Sequence, residues 1–172
     1  MNKTILLRSL SVFLAMGILP FAHAADRGGI LPGETRAGAI TVPSDLDTWT
    51  FSGNAGDRVV INAVTTNGTL GTAIVLYPPS GPAEVSTHDC CSGGGDKVDW
   101  KLATNGVYTI VIEDNGFVGT GNYKVTLLKL PGTVSSAADP DGGTINPGET
   151  LSGGIQSPSD MDAFQFRPVQ AS

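Results

Sequence analysis

Cysteine, histidine, aromatic side chains and positive charge are all scarce in this chain, and each scarcity removes a class of explanation. Among 172 residues there are two Cys, two His and eleven aromatic residues. No recognisable zinc motif can be assembled from so few ligands. One histidine, His23, lies in a segment read below as a removable leader, which leaves His88 as the single imidazole for acid–base work. A Ser-His-Asp arrangement would have to be built around it. Its surroundings, Ser86-Thr87-His88-Asp89-Cys90-Cys91-Ser92-Gly93-Gly94-Gly95, have none of the framing of a hydrolase nucleophile elbow. No catalytic residue is expected, and the chain reads as a non-enzyme. Ten Lys and Arg against sixteen Asp and Glu give a net charge of −6, which argues against nucleic acid or anionic lipid as a partner.

A long hydrophobic run is also missing, except at the very start. Lys3 and Arg8 flank a charge-poor beginning, an apolar run extends from Leu10 to Leu19, Pro20 breaks it, and Ala22-His23-Ala24 supplies small residues two apart. This is the layout of a secretory signal, with cleavage predicted after Ala24 and residues 1–24 removed. The run is well short of the ~20 apolar residues that a membrane span needs. No Cys near the cleavage point marks a lipid anchor. Loss of Lys3 and Arg8 leaves eight basic residues against sixteen acidic ones, a net charge near −8. The expected destination is secreted or periplasmic, with no membrane insertion after cleavage.

What the chain does have is 23 Gly, 11 Pro and many Thr and Val, with almost no segment of helical period beyond the leader. That is an all-β profile. Alternation and turn residues predict strands near Ala39 to Val42, Asp47 to Phe51, Val59 to Val64, Ala73 to Tyr77, Val98 to Leu102, Val107 to Glu113 and Tyr123 to Leu128. The turns between them carry Gly, Asn or Pro where a positive or fixed φ is wanted. Seven or eight short strands of this kind imply an antiparallel, jelly-roll-like β-sandwich. The period of two assigns Trp49, Phe51, Val98, Trp100, Leu102, Tyr108, Ile110, Ile112, Tyr123, Val125 and Leu127 to the core.

The sequence also repeats itself. Residues 28–51 read GGILPGETRAGAITVPSDLDTWTF and residues 143–166 read GTINPGETLSGGIQSPSDMDAFQF, without a gap and at a constant offset of 115. Pro-Gly-Glu-Thr recurs, Pro-Ser-Asp recurs, Asp47 becomes Asp162, and Trp49 and Phe51 become Phe164 and Phe166. The expected organisation is a complete domain over 25–130, a linker over 131–140, and a truncated second copy over 141–172. Strands without their sheet partners expose backbone groups, so the second copy is expected to be disordered, to dock on an edge of the first domain, or to add to another molecule's sheet.

The order of these motifs resembles the bacterial pre-peptidase C-terminal domain. It is carried by Asp45 to Phe51 as Asp-x-Asp-x-aromatic-x-Phe, then Ala55-Gly56-Asp57, Leu76-Tyr77-Pro78-Pro79-Ser80-Gly81, Gly106-Val107-Tyr108-Thr109-Ile110 and Gly121-Asn122-Tyr123-Lys124-Val125. The resemblance spans about residues 28–129 and the start of a second copy. It implies a jelly-roll-like sandwich of the kind appended to secreted proteases and other exported enzymes, some collagenase relatives of which bind calcium and polymeric substrate. No peptidase domain accompanies the module here.

Two constellations carry candidate chemistry. Asp45 and Asp47, with Asp96 and Asp99, offer hard oxygen ligands at spacings of two or three residues, which suits Ca²⁺; Asp160 and Asp162 repeat the first pair. Turn capping by Asp is the competing reading, and no EF-hand pattern is present. A strand regular throughout places Asp45 and Asp47 on the face of Trp49 and Phe51, so either the strand begins after Asp47 or that carboxylate sits at the rim of the core, where a cation or turn amides must satisfy it. The adjacent Cys90 and Cys91 allow a strained vicinal disulfide, intermolecular bridges, a soft-metal site with His88, or free thiols. The functional expectation is an exported accessory module that binds a polysaccharide, a protein polymer, a peptide or cell-envelope material. The alternative is an assembly protein whose incomplete repeat pairs strands within a homo-oligomer or with a partner chain.

Overall fold

The computed structural model describes residues 24–88 and 94–166. The proposed leader, up to residue 23, and the Cys90-Cys91 pair lie outside the described residues. Among the described residues there are eleven strands and no helix: β1 (Ala24–Gly29), β2 (Glu34–Ile40), β3 (Leu46–Gly53), β4 (Arg58–Gly68), β5 (Thr72–Tyr77), β6 (Val85–His88), β7 (Gly95–Lys101), β8 (Gly106–Asp114), β9 (Gly121–Leu130), β10 (Gly143–Ile145) and β11 (Phe164–Phe166). They form a five-stranded sheet ordered β1-β3-β8-β5-β6, a four-stranded sheet ordered β2-β9-β4-β7, and a two-stranded pair β10-β11.

All seven predicted strands are found, although the first lies earlier, at Glu34–Ile40. The pairing departs from a purely antiparallel plan in two places: β1 runs parallel to β3, and β10 parallel to β11. The cause is the connection. The chain leaves the first sheet after β1, crosses in β2 to the second, and returns in β3, so its direction reverses twice.

The inward faces of the two sheets close over Trp49, Phe51, Ile61, Leu76, Tyr108, Ile110, Ile112, Tyr123, Val125 and Leu127, all buried. Ring packing adds to area burial where Phe51 stacks on Tyr108 at 5.6 Å between centroids. Polar atoms in this core are paired: Trp49 Nε1 donates to Tyr123 Oη at 2.9 Å, and Tyr123 Oη donates to Asp47 Oδ2 at 2.7 Å. Trp100 differs from its predicted place in the core. Its strand β7 is the outer strand of its sheet, so the ring hangs at the rim, 36% exposed, with Nε1 donating to Glu84 at 2.9 Å.

The second copy lies over the outer face of the four-stranded sheet rather than along an edge. Thr35, Thr126 and Asn62 stand directly opposite one another across β2, β9 and β4. An outward row of this kind ordinarily meets water. Here Ser159 covers it, with Asn62 Nδ2 donating to the Ser159 carbonyl at 3.0 Å and Thr126 Oγ1 donating to Ser159 Oγ at 3.3 Å. The linker is fastened too. Val134 is buried, and Gly33, at φ +83°, leaves no room for a Cβ, which would stand 2.6 Å from the Ser135 nitrogen.

Candidate functional site

The second copy reproduces two turns and the parallel pairing of the first, although the stretch that corresponds to β2 forms no strand. Gly28 pairs with Trp49 and Gly29 with Thr50; at the offset of 115, Gly143 pairs with Phe164 and Thr144 with Gln165. In the first turn the Leu31 amide donates to Glu34 Oε2 at 2.9 Å, and the Asn146 amide donates to Glu149 Oε2 at 2.9 Å. At the next turn the Thr41 amide donates to Asp45 Oδ2 at 3.3 Å, and the Gln156 amide to Asp160 Oδ2 at 2.7 Å. The motif therefore fixes one carboxylate at a turn and a second two residues on, inside the next strand at Asp47 and just before it at Asp162.

In the first copy both carboxylates have partners. Asp45 also accepts from Thr41 Oγ1 at 3.3 Å and the Leu46 amide at 2.9 Å, which is the geometry of a turn cap. Asp47 is fully buried; its Oδ1 lies 2.8 Å from Arg27 Nε, and its Oδ2 accepts a hydrogen bond from the Tyr123 hydroxyl. Asp96 and Asp99 stand elsewhere, on β7 of the other sheet. Asp99 receives Arg58 Nε at 2.6 Å and Nη2 at 2.7 Å, and that guanidinium holds its carboxyl below the usual range. Asp96 accepts from the Lys97 amide at 2.8 Å. The structure does not bring these four aspartates together.

It brings together three others. Oxygens of Asp139, Asp160 and Asp162 lie within 4.8 Å of one another, the sole such group of three potential metal ligands among the described residues. Asp139 and Asp160 are each only 7% exposed. Oδ1 of all three is buried without a hydrogen-bond partner. Burial, then the nearness of Asp160 and of Asp162, pushes the Asp139 carboxyl up; burial, then Asp141 and Asp160, pushes Asp162 up. The sequence named Asp160 and Asp162 as a pair but left Asp139 in the linker. The signal was present as Asp139-Pro140-Asp141, just before the repeat.

A cavity of about 230 Å³ opens beside the cluster, between Arg36 and Lys124 of the complete domain, Asp139 of the linker, and Gln156 and Asp160 of the second copy. The donor set is all oxygen, three carboxylates on turn and linker backbone, which suits a hard cation such as Ca²⁺ better than a soft metal. His88 is remote in topology: it ends the outer strand β6 of the five-stranded sheet, exposed to solvent.

No family model and no curated protein sequence matches the chain. Among solved structures it is similar to the pre-peptidase C-terminal domain of a collagenase from Bacillus anthracis, with 18% identity over 62% of this chain and 95% of that one, at a TM-score of 0.44. It is also similar to PliG of Salmonella Typhimurium, a periplasmic inhibitor of g-type lysozyme, with 17% identity over 61% and 98% and a TM-score of 0.46. The Yersinia pseudotuberculosis-derived mitogen gives 13% identity over 60% and 91%, with a TM-score of 0.42. Likeness at this level carries no statement about activity or ligand.

Proposed function

We propose that this chain is an exported, non-catalytic binding module whose working site is the seam between the complete sandwich and the second copy, with Ca²⁺ held by Asp139, Asp160 and Asp162. The observation that carries the reading is the meeting of three carboxylates with three unpartnered buried oxygens. Two like charges at that spacing repel by roughly 3 kcal/mol at an effective dielectric constant of about 20. A divalent cation reverses the sign of each of these terms. When bound, it would tie the linker residue Asp139 to the turn at Asp160, and so brace the second copy against the sheet beneath. The adjoining cavity, walled by Arg36 and Lys124, then offers an accessible polar surface to a segment of a polysaccharide or protein polymer.

The test is thermal melting in Ca²⁺ and in chelator, together with retention on insoluble polysaccharides and collagen. Saturation at a hundred times the dissociation constant stabilises by about 2.7 kcal/mol, a rise of roughly 5–10 °C for a chain of this size. Retention should appear in Ca²⁺ and fade in chelator. Identical melts in both buffers, with retention on no polymer, would remove the reading.

A second reading, an assembly role, is favoured by β11. Its counterpart β3 is flanked by β1 and β8, and Trp49 and Phe51 are buried there; Phe164 and Phe166 are 40% and 60% exposed. Among the described residues no strand pairs with the other side of β11. Light scattering on the full chain separates the readings: an oligomer that loses its association when Phe164 and Phe166 become Ser supports assembly, and a monomer removes it.

A further inference from the structure

We infer that the first copy retains the same cation site and fills it from within, the guanidinium of Arg27 standing where the second copy would hold its metal. The inference rests on the reading of Asp139, Asp160 and Asp162 as a cation site.

The equivalence follows from the constant offset. Asp45 and Asp47 correspond to Asp160 and Asp162, and both pairs are set by the same turn and the same parallel strand register. What differs lies just upstream. Position 27 is Arg in the first copy, and its counterpart, 142, is Gly; position 24 is Ala, and its counterpart, 139, is Asp. In the first copy, then, the cluster has one carboxylate fewer and one cation built into the chain. Arg27 Nε approaches Asp47 Oδ1 at 2.8 Å, and Nη2 donates to the Ala39 carbonyl at 2.9 Å, so the guanidinium is held by the backbone of β2 as well as by the carboxylate. Asp47 Oδ1 and Asp162 Oδ1 are both buried without a hydrogen bond; Asp47 Oδ1 has the ion pair with Arg27, and among the described residues Asp162 has no counterpart of Arg27 or Tyr123.

Glycine at 142 is informative for a second reason. It takes φ +105°, and a Cβ there would stand 2.6 Å from the Ala163 carbonyl oxygen. The second copy could not simply accept an arginine at this position. The two copies are thus committed by backbone as well as by charge to different cations.

The test uses the full chain carrying D160N and D162N, which silences the second site, with R27G or R27K added. R27G copies Gly142 and leaves Asp45 and Asp47 facing an empty place; R27K keeps a positive charge. The melting temperature of R27G should rise by roughly 3–5 °C between chelator and a Ca²⁺ concentration about ten times its dissociation constant, while R27K and the D160N/D162N parent should not move. If R27G fails to fold in chelator, recovery of folding in Ca²⁺ supports the inference. R27G equally destabilised with and without Ca²⁺, or unfolded in both, overturns it. Failure of the underlying reading looks different: the unsubstituted chain would then take up no Ca²⁺, and this inference would fall with it.

Discussion

The two copies of the repeat set an Asp-x-Asp pair at the same turn, in the same register, and then treat its charge in opposite ways. In the first, Arg27 and Tyr123 close over Asp47; in the second, Asp162 and its neighbours keep unpartnered oxygens. The lesson concerns where specificity resides. The motif positions the carboxylates, while residues outside it, one upstream at 27 or 142 and one from a distant strand at 123, decide whether the pair becomes a structural ion pair or an open ligand set.

Removal of the carboxylate from each copy should break the symmetry most sharply. Asp47→Ala strips the acceptor from the Tyr123 hydroxyl and the counter-charge from Arg27. With Arg27 partly exposed, and its loss discounted for screening, the cost is about 2–3 kcal/mol, read as a fall in the urea midpoint. Asp162→Ala in chelator should leave the midpoint unchanged or raise it, since it relieves repulsion. Equal losses from the two substitutions would show that the copies do not differ in the way described.

A smaller effect is expected from Tyr123→Phe. It leaves Asp47 Oδ2 and Trp49 Nε1 without their shared partner, at a cost of about 1–2 kcal/mol, without altering the Ca²⁺ response of the second copy. A change in that response would mean that the two sites are coupled through the sheet.

The mildest effect concerns pH, and it belongs to the complete domain. Burial alone would push the Asp114 carboxyl up, but the amides of Gly119, Gly71, Val118 and Gly116 together hold it below the usual range. Asp57 is also held low, by the Asn54 amide first and by Lys129. Both folded-state values lie below the unfolded one, so their contribution is complete above the unfolded carboxylate value of about 4 and is lost as the pH falls through the folded values. In urea unfolding between pH 6 and 3, Asp114→Asn should flatten the acid limb; an unaltered limb would contradict the assignment.

Most of the complete domain was legible because its strands alternate cleanly: Tyr108, Ile110 and Ile112, or Tyr123, Val125 and Leu127, all reach the core as the period of two demands. The two unanticipated strands of that domain are outer strands. β1 reads AADRGG and β6 reads VSTH, with little apolar alternation, because an edge strand is held by backbone pairing with one neighbour and needs no inward row of its own. Trp100 followed the pattern and still missed the core: Val98 and Leu102 on its face are buried, but its own ring lies at the rim of an outer strand and donates to Glu84. The site was half legible. Asp160 and Asp162 stood out as a repeated pair, whereas Asp139 joins them only in the folded chain, where the turn at Asp160 meets the linker. Linear spacing does not carry that contact.

The most direct measurement is calorimetric titration of Ca²⁺ into the chelator-stripped chain and into its D160N/D162N variant. The account predicts one Ca²⁺ per unsubstituted chain and none in the variant, because Arg27 already fills the first site. No uptake by either chain, or uptake that survives D160N/D162N, would contradict it.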